Sequence, residues 1–103
     1  MEILTRDAID YLVAGHSLHE IVNFNEHAVL KAMRRLYGHD TSLCRCSLCV
    51  EDTFALALNA LPPRYIQATS LHTYEGSSQF IAEDKVRAAV EEAAGKVKAR
   101  PNH

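Results

Sequence analysis

The chain has 103 residues, of which 48 % are apolar and 23 % charged, and its formal net charge is −2. This fits one globular domain of ordinary size and leaves no room for two. It excludes a disordered chain, a spanning helix (the longest apolar run, 54–58, is far short of about 20 residues) and a bulk electrostatic binder of nucleic acid.

Taken in order, the first expected element is a helix over about 5–14, with Ile9, Leu12 and Val13 at helical spacing and Gly15 as its stop. Ser17 and Glu20 have the spacing of a capping box. A second helix is expected over 25–37, where Val29, Met33, Leu36 and Tyr37 share a stripe and Gly38 follows as a left-handed stop. The connection from His39 carries the cysteines. A third helix over 47–60 has Val50, Phe54, Ala57, Leu58 and Leu61 on one face, and Pro62-Pro63 ends it. Residues 64–74 read as extended, 75–78 as a turn, and 79–99 as a last helix. Its stripe of Phe80, Val86, Ala89, Val90, Ala93 and Val97 is rich in alanine, and Pro101 closes it. The fold class is therefore mainly α: a small helical domain with a short extended strand after the Pro-Pro corner. A lone strand needs a partner, so it is expected to be paired or packed across a homodimer.

Cys44, Cys46 and Cys49 form C-x-C-x-x-C. The odd, clustered count, behind a start with no secretory signal, points away from a disulfide framework and toward a cytoplasmic protein. Zinc takes thiolates in a tetrahedron, and short spacings let one loop wrap several around one ion. Cys49 falls in the first turn of the third helix, where the dipole favours thiolate. A fourth ligand is missing, and His39, Asp52, His103, water or another chain are the options. For Asp52 a favourable contact with the helix N-terminus is the simpler role. Three thiolates make the ion electron-rich and a poor Lewis acid, so the site reads as structural. The alternatives are inert thiols or a Cys46–Cys49 redox pair, though redox pairs usually follow a strand in a βαβ setting. Iron–sulfur ligation usually wants four cysteines.

The central block, Cys44-x-Cys46-x-x-Cys49-x-x-Asp52 followed by Ala55-Leu56-Ala57-Leu58-Asn59-x-Leu61-Pro62-Pro63-Arg64-Tyr65, resembles the late competence development protein ComFB family. Asn23-x-x-Glu26-x-x-Val29 and Pro101-x-His103 resemble its flanking patterns. The resemblance implies a ComFB-like domain over 23–103; residues 1–22 lie outside it and, from the spacing above, are expected to be an N-terminal helical extension. It also implies a zinc-holding homodimer, a non-enzymatic role linked to competence and motility, and binding of the bacterial second messenger cyclic di-GMP. The family's fourth ligand comes from near the C-terminus, which by likeness selects His103.

A cyclic dinucleotide carries two phosphates and two guanines, so its receptor needs guanidinium groups and flat rings. Arg64 and Tyr65, held at the stiff proline corner, supply one of each, and Tyr74 is a second ring. Their plain alternative is structural, with the prolines stopping a helix and Tyr65 capping the core. Residues 85–103 carry a balance of +3 against −5 for the rest. Within them Lys85 and Arg87 are within reach of the extended segment, although a solvated helix face with pairs such as Glu92–Lys96 explains the charge equally. Arg34-Arg35 is a smaller basic candidate. His16, His19, His27 and His72 have no ligand spacing with the cysteines and read as surface or partly buried histidines. No catalytic constellation stands out. The leading expectation is a dimeric zinc-containing signalling protein that binds cyclic di-GMP and acts through a protein partner. The alternatives are a protein-interaction adaptor without a small ligand, a nucleic-acid binder using the last helix, and a thiol redox protein.

Overall fold

The computed structural model describes residues 8–67 and 82–103. Among these residues three helices make the body: α1 (Asn25–His39), α2 (Ser47–Asn59) and α3 (Glu83–Ala99). Four short strands accompany them: β1 (Leu12–Val13), β2 (His16–Ser17), β3 (Ile21–Asn23) and β4 (Tyr65–Gln67).

α3 packs against both other helices. It can do so because Val86, Ala89, Val90, Ala93, Ala94 and Val97 recur every three or four residues and are all buried. The alanines keep that face low, so neighbouring backbones approach closely. Val29 and Met33 of α1 and Ala57 of α2, with Leu61 just beyond it, complete the core. Each fully buried valine contributes roughly 1.5–3 kcal/mol.

α2 keeps its expected bounds within one residue and stops before Pro62-Pro63. α1 runs two residues further than expected: Gly38 stays helical, and the chain leaves at Asp40, whose N–H still donates to the Leu36 carbonyl. α3 is described from Glu83, so Phe80 and the expected start at 79 lie outside the described residues.

Two expectations are corrected. Residues 8–14 do not form a helix: Leu12–Val13 pairs antiparallel with His16–Ser17, around Ala14 and Gly15. Both turn residues have positive φ, 51° and 80°, the conformation of a two-residue hairpin loop. Ser17 lies in this hairpin, so no capping box forms there. The extended segment also finds its partner inside the chain. β4 pairs antiparallel with β3, placing Asn23 opposite Tyr65, Val22 opposite Ile66 and Ile21 opposite Gln67. Positions 68–81, the 75–78 turn, His72 and Tyr74 included, lie outside the described residues.

Two buried asparagines weld this ribbon to the helices. Asn23 Oδ1 accepts from the backbone N–H groups of Asn25 and Arg64, each at 3.2 Å. Asn25 Nδ2 donates to the Pro62 carbonyl at 2.6 Å, and the Phe24 N–H donates to the Arg64 carbonyl at 2.6 Å. The proline corner is thereby fixed against the start of α1.

Candidate metal centre

The path from α1 to α2 is built by side chains that bond locally. Asp40 Oδ1 accepts from the Ser42 N–H at 3.0 Å and from the Ser42 hydroxyl at 2.5 Å. These bonds hold the Asp40 carboxyl below its ordinary value. Lys98 Nζ, from the last turn of α3, donates to Ser42 Oγ at 2.8 Å. Leu43 is buried. The Arg45 guanidinium donates to the Tyr37 carbonyl and lies 5.6 Å from the centre of the Tyr37 ring. The segment 40–45 is thus tied to α1 and to α3 before it reaches the second cysteine.

Cys46 is the N-cap of α2, and its Sγ accepts from the Cys49 N–H at 3.4 Å. Cys49, one turn into the helix, is 1 % exposed. Beneath it Thr53 is fully buried: its hydroxyl donates to the Cys49 carbonyl at 2.8 Å and receives the Tyr37 hydroxyl at 3.4 Å. Pro101 ends α3 and turns the chain back, so that His103 Nε2 stands 3.5 Å from Cys44 Sγ. A hollow of about 150 Å³ lies behind Cys44 and His103, bounded also by Tyr37, Thr53 and Val97.

The ligand atoms of Cys44, Cys46, Cys49 and His103 all lie within 4.8 Å of one another. A tetrahedral zinc, with Zn–S about 2.3 Å and Zn–N about 2.0–2.1 Å, sets S···S near 3.8 Å and S···N near 3.6 Å. The four donors fit such an ion in number, type and spacing. His39 and Asp52, the other protein candidates for the fourth position, are not in the cluster.

The thiols differ in their ease of ionisation. Cys46 is shifted down, first by the Cys49 N–H that points at its sulfur and then by the Cys44 side chain. Cys49 is pushed up to about 12, first by burial and then by its bonds to the neighbouring thiols. The expected thiolate preference of Cys49 is therefore reversed. Its N–H serves the capping sulfur, and burial outweighs the helix dipole. A divalent cation inverts that balance, since it supplies the opposite charge that three crowded sulfurs lack.

The residues chosen from sequence as ligand contacts are scattered. Arg64 sits at the proline corner, its main chain held by Asn23 and Phe24 and its Nη1 donating to the Pro63 carbonyl at 3.1 Å. Tyr65 is 64 % exposed and borders a separate hollow with Asn59 and Pro63. Lys85 is exposed in the first turn of α3. Arg87 lines a groove between α1 and α3, whose α1 wall carries His27, Lys31, Arg35 and His39. Sequence reasoning set His27 aside and did not use the spacing of four that links these residues. The spacing was visible; its meaning needed the opposite wall. Asn23, Asn25 and Thr53 were also missed as buried polar anchors, because burial leaves no mark on an isolated polar residue. Among the described residues, no helix is long and apolar enough to cross a membrane.

A family model described as late competence development protein ComFB matches residues 22–101. A solved structure described as the late competence protein ComFB from Bacillus subtilis superposes with a TM-score of 0.63 at 22 % sequence identity. The match covers 80 % of this chain and 94 % of that one. No curated protein matches.

Proposed function

Because the chain belongs to the late competence development protein ComFB family, we propose that it is a non-enzymatic cytoplasmic signalling protein with a structural zinc centre. It works as a homodimer, binds cyclic di-GMP and acts through protein partners in competence- or motility-type regulation. The observation that carries the metal half of this reading is the convergence of Cys44, Cys46, Cys49 and His103 within 4.8 Å. Three thiolates and one imidazole close the coordination sphere, hold the ion at formal charge −1 and leave no open position for a substrate. Zinc there joins the start of α2 to the end of α3. Cyclic di-GMP is supported by the family and by the available donors and rings, with Arg64, Tyr65, Tyr74, Lys85 and Arg87 as proposed contacts.

Two measurements test this. Metal analysis of protein purified without added zinc should give one zinc per chain. Cycling of Cys46 and Cys49 between dithiol and disulfide with no bound metal would replace the structural centre by a redox pair. Calorimetric titration with cyclic di-GMP should show saturable binding, whereas no heat and no thermal shift at about 100 μM ligand removes the nucleotide from the proposal.

A protein-interaction adaptor without a small ligand is the second reading. It is favoured by the β1–β2 hairpin, where Leu12 and Val13 are more than 60 % exposed outside the family-matched span. Partner capture that is indifferent to added nucleotide would support it.

A further inference from the structure

Helix α1 carries two apolar rows. Val29 and Met33 are buried and belong to the core. Ala28, Ala32 and Leu36 make a second row at i, i+4 that is only half-buried, and Phe24 at the helix start extends it. This second row is the floor of a groove of about 630 Å³ between α1 and α3, closed on the other side by Val86 and Val90. The groove is long: its α1 lining runs from His27 to His39, about 18 Å along the axis. The two alanines keep the floor low, so another backbone can come close. An apolar trough of that length suits one face of a helix of about three turns, with anchors at i, i+3 or i+4, and i+7.

The rims of the groove differ in sign. His27, Lys31, Arg35 and His39 follow one another at i, i+4 along the α1 rim. Glu83, Arg87 and Glu91 have the same spacing on the α3 rim, where the carboxylates prevail. All these side chains are exposed. Such spacing ordinarily serves ion pairs, as Glu92 and Lys96 form at 3.4 Å. Among the described residues, none of Lys31, Arg35, Glu83, Arg87 and Glu91 forms one. Lys31 and Arg35 are a like-charge pair at i, i+4, which carboxylates from outside the helix would relieve.

The two rims together narrow the occupant. Nucleic acid or an anionic lipid surface would be drawn to Lys31 and Arg35 and repelled by Glu83 and Glu91 facing them. A protein helix can satisfy both rims, because it can carry one sign on each flank of its apolar ridge, as the flanks of a coiled-coil seam do.

We infer that the α1–α3 groove is the docking surface for an amphipathic helix of a protein partner. Its apolar ridge lies on Ala28, Ala32 and Leu36, its acidic flank on Lys31 and Arg35, and its basic flank on Glu83 and Glu91. This rests on the reading that the protein acts through protein partners and gives that reading a surface.

The test uses the full chain as purified and a labelled amphipathic peptide of about 18 residues, with leucines at a and d, glutamates on one flank and lysines on the other. Fluorescence anisotropy should show saturable binding with Kd below about 100 μM. Lys31→Glu/Arg35→Glu should weaken that peptide by about tenfold. The same variant should gain a second peptide, with lysines on both flanks, which the wild-type chain binds about tenfold more weakly than the first. Thermal melts check that these exposed substitutions leave the fold intact. A first peptide that fails to bind the wild-type chain, or binds both chains equally, overturns the groove. Charge reversal that turns a dimer into monomers in sedimentation assigns the groove to a second copy and also overturns it. A protein captured equally by the wild-type and charge-reversed chains overturns the groove while the partner reading stands. A wild-type chain that binds no peptide and captures no protein takes that reading down as well.

Discussion

The cysteine corner and the N-terminal hairpin are both short irregular stretches, yet they are held in opposite ways. The corner is bound to everything around it: Lys98 reaches Ser42 from α3, Arg45 reaches back to Tyr37, and His103 meets Cys44 across 59 positions of sequence. The bonds described at the hairpin are local. The Leu12 N–H donates to Asp10, the Leu18 N–H to Tyr11, and Ser17 pairs with His19, all within a few residues. Tyr11 and His19 add one tilted ring contact at 6.5 Å. Stability at the corner is therefore shared with the core, whereas stability at the hairpin is local and small.

Metal removal is the strongest way to break that contrast. Chelation, or Cys49→Ser, should lower the thermal midpoint by roughly 10 °C or more, because an ion held there would tie the cysteines at the start of α2 to His103 beyond the end of α3. A melt unchanged by chelator would place the corner in the same class as the hairpin. Next in size is Asn23→Ala, which strands the N–H groups of Asn25 and Arg64 and should cost about 1–3 kcal/mol in denaturant unfolding. It asks whether the β3–β4 ribbon belongs to the core side of the comparison.

The pH response of metal-free protein sharpens the corner further. Cys49 has a folded value near 12 against an ordinary 9. A raised value contributes stability below pH 9 that is lost as pH climbs toward 12. The melting temperature of chelated protein should fall over that interval, and less so in Cys49→Ala. The smallest effects belong to the hairpin. Ala14→Asn suits the positive φ of the turn and should stabilise it by less than about 1 kcal/mol, visible as slower amide exchange over residues 12–17 with an unchanged global melt. Leu12→Ser should change stability by less than about 0.5 kcal/mol.

The same contrast explains what was legible. α2 could be read because a single apolar face runs into two prolines. The cysteines could be read because three thiols in six residues have few other uses. His103 could not be singled out by spacing, since the contact is made by the packing of α3 on α2, and only the family likeness selected it among the options. The hairpin was misread because Ile9, Leu12 and Val13 imitate helical periodicity, while the deciding signal was the two-residue turn at Ala14-Gly15. β3 is three residues long and ends on a buried asparagine, too short for alternation to declare itself. Gly38 failed as a stop because a glycine inside a helix costs only about 1 kcal/mol, which neighbouring packing overrides.

The long span from Cys44 to His103 also fixes an order in time. During synthesis the three cysteines emerge first, and at about 5–20 residues per second the imidazole follows some 3–12 seconds later. In that interval a nascent chain presents a thiol trio with its last corner open. An ion captured then would first be held by sulfur alone, and the arrival of α3 would bring the imidazole to it.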